Sequence, residues 1–398
     1  MNDIRIGRHL IGPDQPPFII AEMSGNHGHD LDKALRLVDA VAEAGAQALK
    51  LQTYTADTMT LDISEGDFFI DDPNSLWRGH SLYQLYEKAH TPWEWHGPIF
   101  ERARQKGMIP FSTPFDATAV DFLETLDVPC YKIASFENGD LPLIRKVAAT
   151  GKPLIISTGT ATLMELAEAV AAAREAGCRD LILLKCTSNY PAEPIDANLL
   201  TLAHLAELFD CPVGLSDHTL GTAVAVAGVA LGARVIEKHF TLNRADGDID
   251  AAFSLEPAEM QQLVADTRMA WQALGRVSYG PTDREMASRK HRRSLYISQD
   301  LKKGDILTEE NVRAIRPGLG LPPKYLETVL GRAVVRDVRK GSPLQWPLIG
   351  GQSFTTENSG NDEWISPGIV DSPKSCYNAA GGCHDTEEEK VVYARVQD

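Results

Sequence analysis

Two histidines at the ends of apolar runs are the residues whose type and spacing first indicate chemistry. His218 follows the apolar run at 213–216, and His239 ends the run at 235–239. A short apolar run that reaches a polar residue is typical of a buried strand at the rim of a sheet. If the two strands are neighbours in a parallel sheet, the histidines lie roughly 5 Å apart and could share one metal ion. Either histidine alone would be interpreted as a hydrogen-bonded structural residue, so the metal hypothesis depends on the pairing.

A metal on this pair would have to be catalytic. Two imidazoles leave coordination positions to water, whereas a structural site is closed by four protein ligands. Asp217, Asp248 and Asp250 are candidates for carboxylate support, and their spacing does not choose among them.

The elements that must position the histidines are short β-rich runs separated by amphipathic helical segments. The runs lie at 18–22, 48–52, 108–112, 130–133, 153–157, 181–185, 213–216 and 235–239. Several helical segments end at a glycine, which is a common stop signal. Eight such βα units predict an α/β fold, the (β/α)8 TIM barrel, whose active site lies at the C-terminal ends of the strands.

A barrel would gather the polar residues that follow the strands into one ring. Besides the histidines, the ring would contain Glu22, Asn26, Lys50, Thr113, Lys132, Ser135, Glu137, Ser157, Lys185, Tyr190, Ser216, Glu237 and Lys238. Such a ring suits a small substrate that carries phosphate and carboxylate groups. A single strand-end lysine is often a surface charge, so this interpretation depends on many polar residues converging.

Composition bounds the class of protein. The chain has 398 residues, 43% of them hydrophobic, and a net charge of −16. The negative charge argues against nucleic-acid binding, and no apolar run approaches the roughly 20 residues that span a bilayer. The first residues lack the apolar segment of a secretion signal, and the six cysteines are scattered. We therefore expect a cytoplasmic protein without a disulfide framework or a membrane partner.

The pattern changes along the chain and predicts four segments. Residues 1–275 hold the barrel, 276–290 lose apolar periodicity as a linker does, and 291–349 show the short strands and glycine turns of a small, mostly β domain. Residues 350–398 contain nine acidic and three basic residues without periodicity, which predicts an acidic disordered tail. Within the barrel, the aromatic-rich insertion at 53–91 is expected to form an ordered lid.

Eight motifs in this order resemble the sialic acid synthase family. They are AEMSGNH at 21–27, KLQT at 50–53, FSTPFD at 111–116, YKIAS at 131–135, ISTG at 156–159, KCTS at 185–188, GLSDHT at 214–219 and EKHFT at 237–241. The resemblance covers about residues 3–349 and implies a barrel followed by the family's antifreeze-like (SAF) domain. The segments 75–77, 91–95, 132–137 and 253–257 are similar to the branch of the family that uses a trideoxy diacetamido sugar.

The resemblance implies condensation of phosphoenolpyruvate with the open-chain aldehyde 2,4-diacetamido-2,4,6-trideoxy-altrose, with release of phosphate. A divalent metal on His218 and His239, Mn²⁺ by resemblance with Mg²⁺ or Co²⁺ as alternatives, would polarise the aldehyde oxygen. The residues that match the family's phosphoenolpyruvate positions are Lys50, Thr113, Lys132, Ser135, Ser157 and Ser216. The implied catalytic carboxylates are Glu22, Glu137 and Asp250, and the implied sugar contacts are Asn26, Tyr190 and Arg316.

Arg316 carries a further implication about assembly. It matches a family residue that reaches into the barrel of a partner subunit, so the resemblance implies a domain-swapped homodimer. Without the family, an arginine before Pro-Gly would be interpreted as a solvated turn residue.

Two alternatives to this function stay open. A synthase for N-acetylneuraminic or legionaminic acid would differ at a few pocket residues. Apolar Ala134 and Phe136 favour a sugar with a 6-methyl and an extra acetamido group, because burying an unmatched hydroxyl costs about 1–3 kcal/mol. A non-catalytic sugar-binding protein is the second alternative, but it would need neither lysines nor a histidine pair at the barrel mouth.

The chain departs from the family at Asp248, where glycine is common. A non-glycine residue would restrict this loop if the position needs a positive φ, although aspartate tolerates that better than most residues. Asp248 could also compete with Asp250 for the role of the carboxylate.

Overall fold

The computed structural model describes residues 3–73 and 75–350. The chain divides into two compact units, one ending at Gly275 and the other beginning at Arg276. The predicted disordered tail at 350–398 lies outside the described residues apart from Gly350.

The first unit opens with a hairpin that the sequence did not predict. Strand β1 (Ile4–Ile6) pairs antiparallel with β2 (His9–Ile11), and Ile6 and Ile11 are buried in the barrel core. The turn between them contains Gly7 at φ 55°, a left-handed conformation that favours glycine. With three residues each, the strands are too short for an alternating pattern to stand out.

Eight parallel strands then close into the predicted barrel. They are β3 (Phe18–Glu22), β4 (Ala48–Thr53), β5 (Ile109–Pro114), β6 (Tyr131–Ile133), β7 (Leu154–Ser157), β8 (Leu181–Cys186), β9 (Val213–Ser216) and β10 (Val235–His239). They follow one another in chain order around the barrel, and β10 pairs with β3 to close it. The fold class is confirmed. Each strand is almost entirely buried, which explains why it reads as a continuous apolar run.

Most of the helices in this unit pack around the barrel, and α2 and α3 belong to the insertion after β4. In chain order they are α1 (Leu31–Ala44), α2 (Ala56–Met59), α3 (Leu82–Ala89), α4 (Trp93–Gln105), α5 (Ala117–Thr125), α6 (Leu141–Ala148), α7 (Leu163–Glu175), α8 (Thr201–Phe209), α9 (Ala223–Ala230) and α10 (Pro257–Leu274). Helix α1 illustrates the signals that start and end these helices. The Asp30 side chain accepts a hydrogen bond from the backbone N–H of Lys33 at its start, and Gly45 at φ 88° ends it.

The insertion between β4 and β5 contains α2, α3 and a 3-10 helix at Gly66–Phe68. Its Trp77 donates a hydrogen bond from Nε1 to the carbonyl oxygen of Ile249, at 3.1 Å. Ile249 belongs to the loop after β10, so the insertion lies at the C-terminal end of the strands, where the lid was predicted.

The second unit has its own small core. After α11 (Asp283–Met286), strand β11 (Ser294–Ile297) pairs antiparallel with β12 (Val312–Ile315), and α12 (Leu326–Val329) follows. Leu295, Leu307, Val329 and Leu344 are among the residues buried together. The segment predicted as a linker contains α11 and a 3-10 helix at Ala287–His291, because Thr282 and Glu285 form a capping box there.

Candidate active site

Four charged side chains from four strands alternate in sign at the C-terminal end of the barrel. Lys50 contacts Glu22 and lies 3.5 Å from Glu237, and Lys132 lies 3.6 Å from Glu237. All four side chains are at most 4% exposed. Burial opposes ionisation of Glu237, but the two lysines outweigh it and lower its pKa. Burial raises the pKa of Glu22 despite Lys50, and it lowers the pKa of Lys132 despite Glu237.

Hydroxyl groups surround these charges. Thr113 accepts a hydrogen bond from Lys50 at 3.2 Å, and Ser216 donates one to Glu237 at the same distance. The Oγ of Ser157 is buried without a hydrogen-bond partner in the described part of the chain, as is Oε2 of Glu237. Buried polar atoms without partners are uncommon in proteins, and here they surround the place where a ligand would bind.

A tight turn brings Ser135 into the same ring. The Ser135 hydroxyl accepts a hydrogen bond from the backbone N–H of Gly159 at 3.2 Å. A Cβ atom on Gly159 would come 2.5 Å from Ser135 Oγ, so the Ser-Thr-Gly turn after β7 needs glycine at this position. Ser135, Ser157 and the other four residues predicted for phosphoenolpyruvate therefore all lie at the strand ends.

The two histidines lie side by side, as their register requires. Glu237 pairs with Ser216 between β10 and β9, so His239 lies level with His218, and their ring centroids are 5.3 Å apart. His218 Nδ1 lies 2.9 Å from the carbonyl oxygen of Thr187 and donates to it, and Nε2 makes no hydrogen bond within the described residues. His239 Nδ1 is buried without a hydrogen-bond partner among the described residues. Burial and the neighbouring cations lower the pKa of His239 well below its usual value, which favours the neutral form that binds metals.

The pKa of His218, in contrast, is raised, because its contact with Cys186 outweighs burial. By position the two histidines fit a divalent metal, although within residues 3–73 and 75–350 no group of three or more potential protein ligands is arranged to hold one. Asp250 lies nearest to completing the set, with Oδ2 at 3.6 Å from His239 Nδ1. The other carboxylate candidates face elsewhere. Asp217 pairs with Lys238 at 3.0 Å, and Asp248 pairs with Lys33 at 2.6 Å.

Asn26 and Ser24 hold Asp250 in place. Ser24 Oγ donates to Asp250 Oδ2 at 2.5 Å, and Asn26 Oδ1 accepts from the backbone N–H of Asp250 at 3.2 Å. The Asn26 amide nitrogen donates to Phe240 and Ser254. The structure thus gives Asn26 contacts within the protein, and its predicted sugar contact stays a prediction.

An aromatic wall borders the histidine pair. The Tyr190 ring lies 4.5 Å from that of His218, and the Phe253 ring lies 4.9 Å from that of His239. Trp77 from the insertion lies 6.0 Å from Tyr190. Tyr190 therefore borders the histidine pair, and its predicted sugar contact stays a prediction.

Glu137 and Cys186 complete the site. Burial raises the pKa of Glu137 to about 7, although Lys132 opposes the shift, and its Oε2 is buried without a partner in the described structure. Cys186 Sγ lies 3.9 Å from His218 Nδ1. Burial raises the pKa of this thiol, but the contact with His218 outweighs it and lowers the pKa to about 7.

Some residues of the predicted ring are not part of the pocket. Lys238 points away from the strand-end cluster and pairs with Asp217. Lys185 lines a cavity of about 410 Å³ beside α7 and α8, to which Cys186 also contributes. Arg316 lies in the second unit, where it lines a cavity of about 590 Å³ together with Arg293 and Arg313. Of the four lysines expected in the ring, Lys50 and Lys132 lie in the charged cluster.

Sequence reasoning placed Glu237 in the ring without assigning it a role, and it did not include Ser24 or Cys186. For Glu237 a signal was present. It lies two residues before His239, and residues two apart on a strand face the same side. For Ser24 and Cys186 the partners come from distant parts of the chain, so their spacing carried no signal.

The fold and the site define a (β/α)8-barrel protein that carries a pocket of lysines, carboxylates and paired histidines and is followed by a small β domain. The profile of the NeuB family matches residues 37–279, and that of the SAF domain matches residues 292–349. The chain belongs to the NeuB family, and the family prediction is confirmed.

Individual relatives agree with this assignment. Pseudaminic acid synthase of Campylobacter jejuni subsp. jejuni serotype O:2 is 44% identical over 332 residues, which cover 83% of this chain and 96% of that protein. Pseudaminic acid synthase of Helicobacter pylori is 43% identical over 331 residues, 83% and 97% of the two chains. The crystal structure of an N-acetylneuraminic acid synthetase from Leptospira borgpetersenii in complex with citrate has a TM-score of 0.65 and 33% identity, covering 72% of this chain and 95% of that one. Within the described residues, no helix is both long and apolar enough to cross a membrane.

Proposed function

We propose that this chain is a pseudaminic acid synthase, which condenses phosphoenolpyruvate with 2,4-diacetamido-2,4,6-trideoxy-altrose to give pseudaminic acid and phosphate. The observation that carries the proposal is the buried cluster of Lys50, Lys132 and Glu237 beside the paired histidines. It lies in a chain 44% identical to a relative of that name. Because phosphoenolpyruvate is a metabolite of the cytoplasm, we place the reaction there.

The lysines bind the anionic substrate. Lys50 and Lys132 supply charge for its phosphate and carboxylate, and the Ser157 hydroxyl, which has no protein partner among the described residues, supplies a hydrogen bond. Thr113, Ser135 and Ser216 lie around the same charges and orient the substrate. Holding the enol carbon against the aldehyde in this way lowers the entropic part of the barrier.

His218 and His239 would hold a divalent metal, Mn²⁺ by family resemblance, with Mg²⁺ or Co²⁺ as alternatives. When bound, it supplies Lewis-acid polarisation of an oxygen. Cys186 and the carbonyl oxygen of Thr187 orient His218 from behind, and Asp250 faces His239. Tyr190 and Phe253 shield the pair from water on one side.

Glu137 is the group best suited to activate water. The new C–C bond joins the enol carbon to the aldehyde carbon and leaves a cation-like centre at the carbon that bears the phosphate. Water adds there, and one of its protons passes to Glu137. The C–O bond to phosphate then breaks, the remaining hydroxyl proton leaves with the phosphate, and the carbon becomes the ketone of the product. A pKa of about 7 suits a group that must accept a proton near neutral pH. Glu22 and Asp250 remain the carboxylates for sugar hydroxyls and for protonation of the former aldehyde oxygen.

The choice of sugar has its own support and its own test. The relatives named pseudaminic acid synthase are 43% and 44% identical, whereas the N-acetylneuraminic acid synthetase is 33% identical. The aromatic wall of Tyr190, Phe253 and Trp77 suits apolar methyl and acetamido groups. Phe136, in contrast, is 65% exposed, so it adds little to this choice.

The test measures phosphate release with phosphoenolpyruvate and either the altrose derivative or N-acetylmannosamine. We expect release that needs both substrates, prefers the altrose derivative and stops with a chelator. His218→Ala should abolish turnover without unfolding the barrel, whereas His204→Ala, an exposed residue on α8, should not affect it. A preference for N-acetylmannosamine would favour the neuraminate alternative, and an absence of phosphate release would favour the sugar-binding alternative.

We also propose that the enzyme is a domain-swapped homodimer in which Arg316 serves the partner's barrel. In the described part of the second unit, Arg293, Arg313 and Arg316 line one cavity and none of them forms an ion pair. Mixing the inactive variants Arg316→Ala and His218→Ala tests the proposal. Shared sites would restore activity, because mixed dimers contain one site with both residues intact. Activity that stays absent in a mixture shown to contain mixed dimers would refute it.

A further inference from the structure

The loop at 243–253, between β10 and α10, carries Asp250 into the candidate site. On its inner side, Ser24 and Asn26 hold Asp250 through the side chain and the backbone, at 2.5 and 3.2 Å. The residue before it, Ile249, accepts a hydrogen bond from Trp77 of the insertion. The geometry of this loop therefore determines where the Asp250 carboxylate lies.

The outer side of the loop is bound to helix α1 through one lysine. Lys33 Nζ lies 2.6 Å from Asp248 Oδ2 and 2.9 Å from Asp246 Oδ2. The side chains of Lys33 and Asp248 are 13% and 8% exposed, whereas that of Asp246 is 38% exposed. Since charge pairs are screened less as they become buried, the contact with Asp248 is expected to be the stronger of the two.

We propose that the Lys33–Asp248 ion pair is a positioning element that holds the 243–253 loop so that Asp250 stays against His239. Neither Lys33 nor Asp248 contacts the histidine pair, and both act through Asp250. The effect on catalysis rests on the proposed function, whereas the effect on the loop is a property of the fold.

The local backbone explains how aspartate is accommodated where the family commonly has glycine. Gly247 takes the left-handed conformation, at φ 72°, and Asp248 does not have a positive φ. The concern that Asp248 would strain the loop is therefore removed. The Asp248 side chain instead turns toward α1, where it meets Lys33 and approaches Gly28.

Gly28 supplies an independent sign that the loop is closely fitted here. It has φ 56°, and a Cβ atom built on it would come 2.8 Å from Asp248 Oδ1. A side chain at position 28 would have to displace the Asp248 carboxylate that Lys33 holds. The turn after β3 and the loop after β10 are thus matched to each other at this point.

The consequence for the site follows from the short chain distance between Asp248 and Asp250. A displacement of about 1 Å in a group that orients substrate can reduce turnover about 100-fold. Ser24 and Asn26 restrain Asp250 from within, so loss of the ion pair alone should have a smaller effect. Under the proposed function the sugar binds beside Asp250 and the lysines bind phosphoenolpyruvate. We therefore expect weaker recognition of the sugar and an unchanged KM for phosphoenolpyruvate.

The experiment compares Asp248→Asn with Asp246→Asn, two amides in the same loop. Asp248→Asn should raise KM for the sugar or lower kcat, so that kcat/KM for the sugar falls about ten-fold, with KM for phosphoenolpyruvate unchanged. It should also speed hydrogen exchange of the backbone amides at 243–253. Asp246→Asn should change each quantity less than about three-fold. Asp121→Asn, which breaks the exposed pair with Lys146 elsewhere on the barrel, is the control. It should change neither the kinetic constants nor the hydrogen exchange at 243–253.

Rescue distinguishes an ion pair from a merely structural contact. Lys33→Met should reproduce Asp248→Asn, and Lys33→Arg should behave as the wild type. If Asp248→Asn and Asp246→Asn behave alike, or if hydrogen exchange of the loop does not change in Asp248→Asn, the proposal is wrong. The exchange measurement needs no turnover, so it tests the ion pair even if the proposed synthase activity fails its own test.

Discussion

The two faces of strands β9 and β10 each carry a buried carboxylate beside lysine, and the two carboxylates differ in their hydrogen-bond partners. On the face toward the site, here called the inner face, Glu237 lies between two lysines, and its Oε2 has no hydrogen-bond partner among the described residues. The opposite face is called the outer face. On the opposite face, Asp217 pairs with Lys238 at 3.0 Å and accepts hydrogen bonds from the Thr219 backbone and hydroxyl at 3.0 and 2.8 Å. Lys238 also donates to the carbonyl oxygen of Thr219.

The difference indicates which charges serve the fold and which serve a ligand. In the network on the outer face, Asp217 Oδ1 accepts both hydrogen bonds from Thr219, and Asp217 Oδ2, which accepts no hydrogen bond in the described structure, has the Lys238 ammonium as its ion-pair partner. The cluster at the site is left with unsatisfied oxygens, which is costly in a buried environment unless a ligand supplies the missing partners. Changes on the inner face should therefore reduce activity, and changes on the outer face should reduce stability.

The largest effect should come from Glu137→Gln in the site, in the turn after β6. A general base contributes about 10²–10⁴-fold, so turnover should fall by at least about 100-fold. In the wild type, kcat/KM should rise with pH and level off above the pKa of about 7, because the carboxylate must be ionised to accept a proton. The pH–rate profile of both proteins checks this, and a profile that is unchanged in Glu137→Gln would contradict it.

The same substitution should have the opposite effect on stability. Because the pKa of Glu137 is raised in the folded state, its favourable contribution is present at acid pH and is lost as pH rises through about 7. Glu137→Gln does not titrate, so it should gain stability relative to the wild type between about pH 4.5 and 7. Urea unfolding at pH 5 and pH 8 measures the difference, and equal differences at both would rule out the raised pKa.

The next largest effect should come from Lys238→Met on the outer face. Removing one partner of a buried ion pair leaves Asp217 charged and unpaired, at a cost of about 3–5 kcal/mol in the free energy of unfolding. Urea denaturation checks the value. Lys146→Met, which breaks a pair whose side chains are 35% and 71% exposed, is the matched control and should cost at most about 1 kcal/mol. Equal losses in the two variants would show that the outer pair has no special structural role.

The sequence predicts the barrel well because each buried parallel strand is a short apolar run, and glycines such as Gly45 mark where helices end. It predicts the histidine pair because strands adjacent in the chain are adjacent in the barrel. For Lys238, the two-residue period of a strand carried a signal that the predicted ring did not use. Lys238 lies between Glu237 and His239 and therefore faces away from them.

Contacts between distant segments could not be predicted in the same way. The 3.6 Å approach of Lys132 to Glu237 depends on closure of the whole barrel, and the pairing of Lys33 with Asp248 depends on a loop with no regular pattern. The pKa of Glu137 depends on burial that only the folded structure defines. For such features the sequence supplies the residue types, and the tertiary structure decides the partners.

The smallest effects should come from removing one hydroxyl in the site and one on the outer face. Comparing Ser157→Ala with Thr219→Val tests most directly whether the two places differ in function. Ser157→Ala removes an oxygen that has no hydrogen-bond partner in the described structure, so the free energy of unfolding should change by less than about 1 kcal/mol. If that hydroxyl binds the substrate anion, KM for phosphoenolpyruvate should rise about ten-fold, as expected for loss of a hydrogen bond to a charged group.

Thr219→Val provides the counterpart on the outer face. It removes a hydroxyl that donates to Asp217 at 2.8 Å, so it should lower the free energy of unfolding by about 1–3 kcal/mol and leave KM for phosphoenolpyruvate unchanged. Steady-state kinetics and urea unfolding of both variants give the four values. If Ser157→Ala destabilises the fold as much as Thr219→Val and leaves KM unchanged, the unsatisfied oxygens do not mark the ligand site. The distinction between the two faces would then have to be given up.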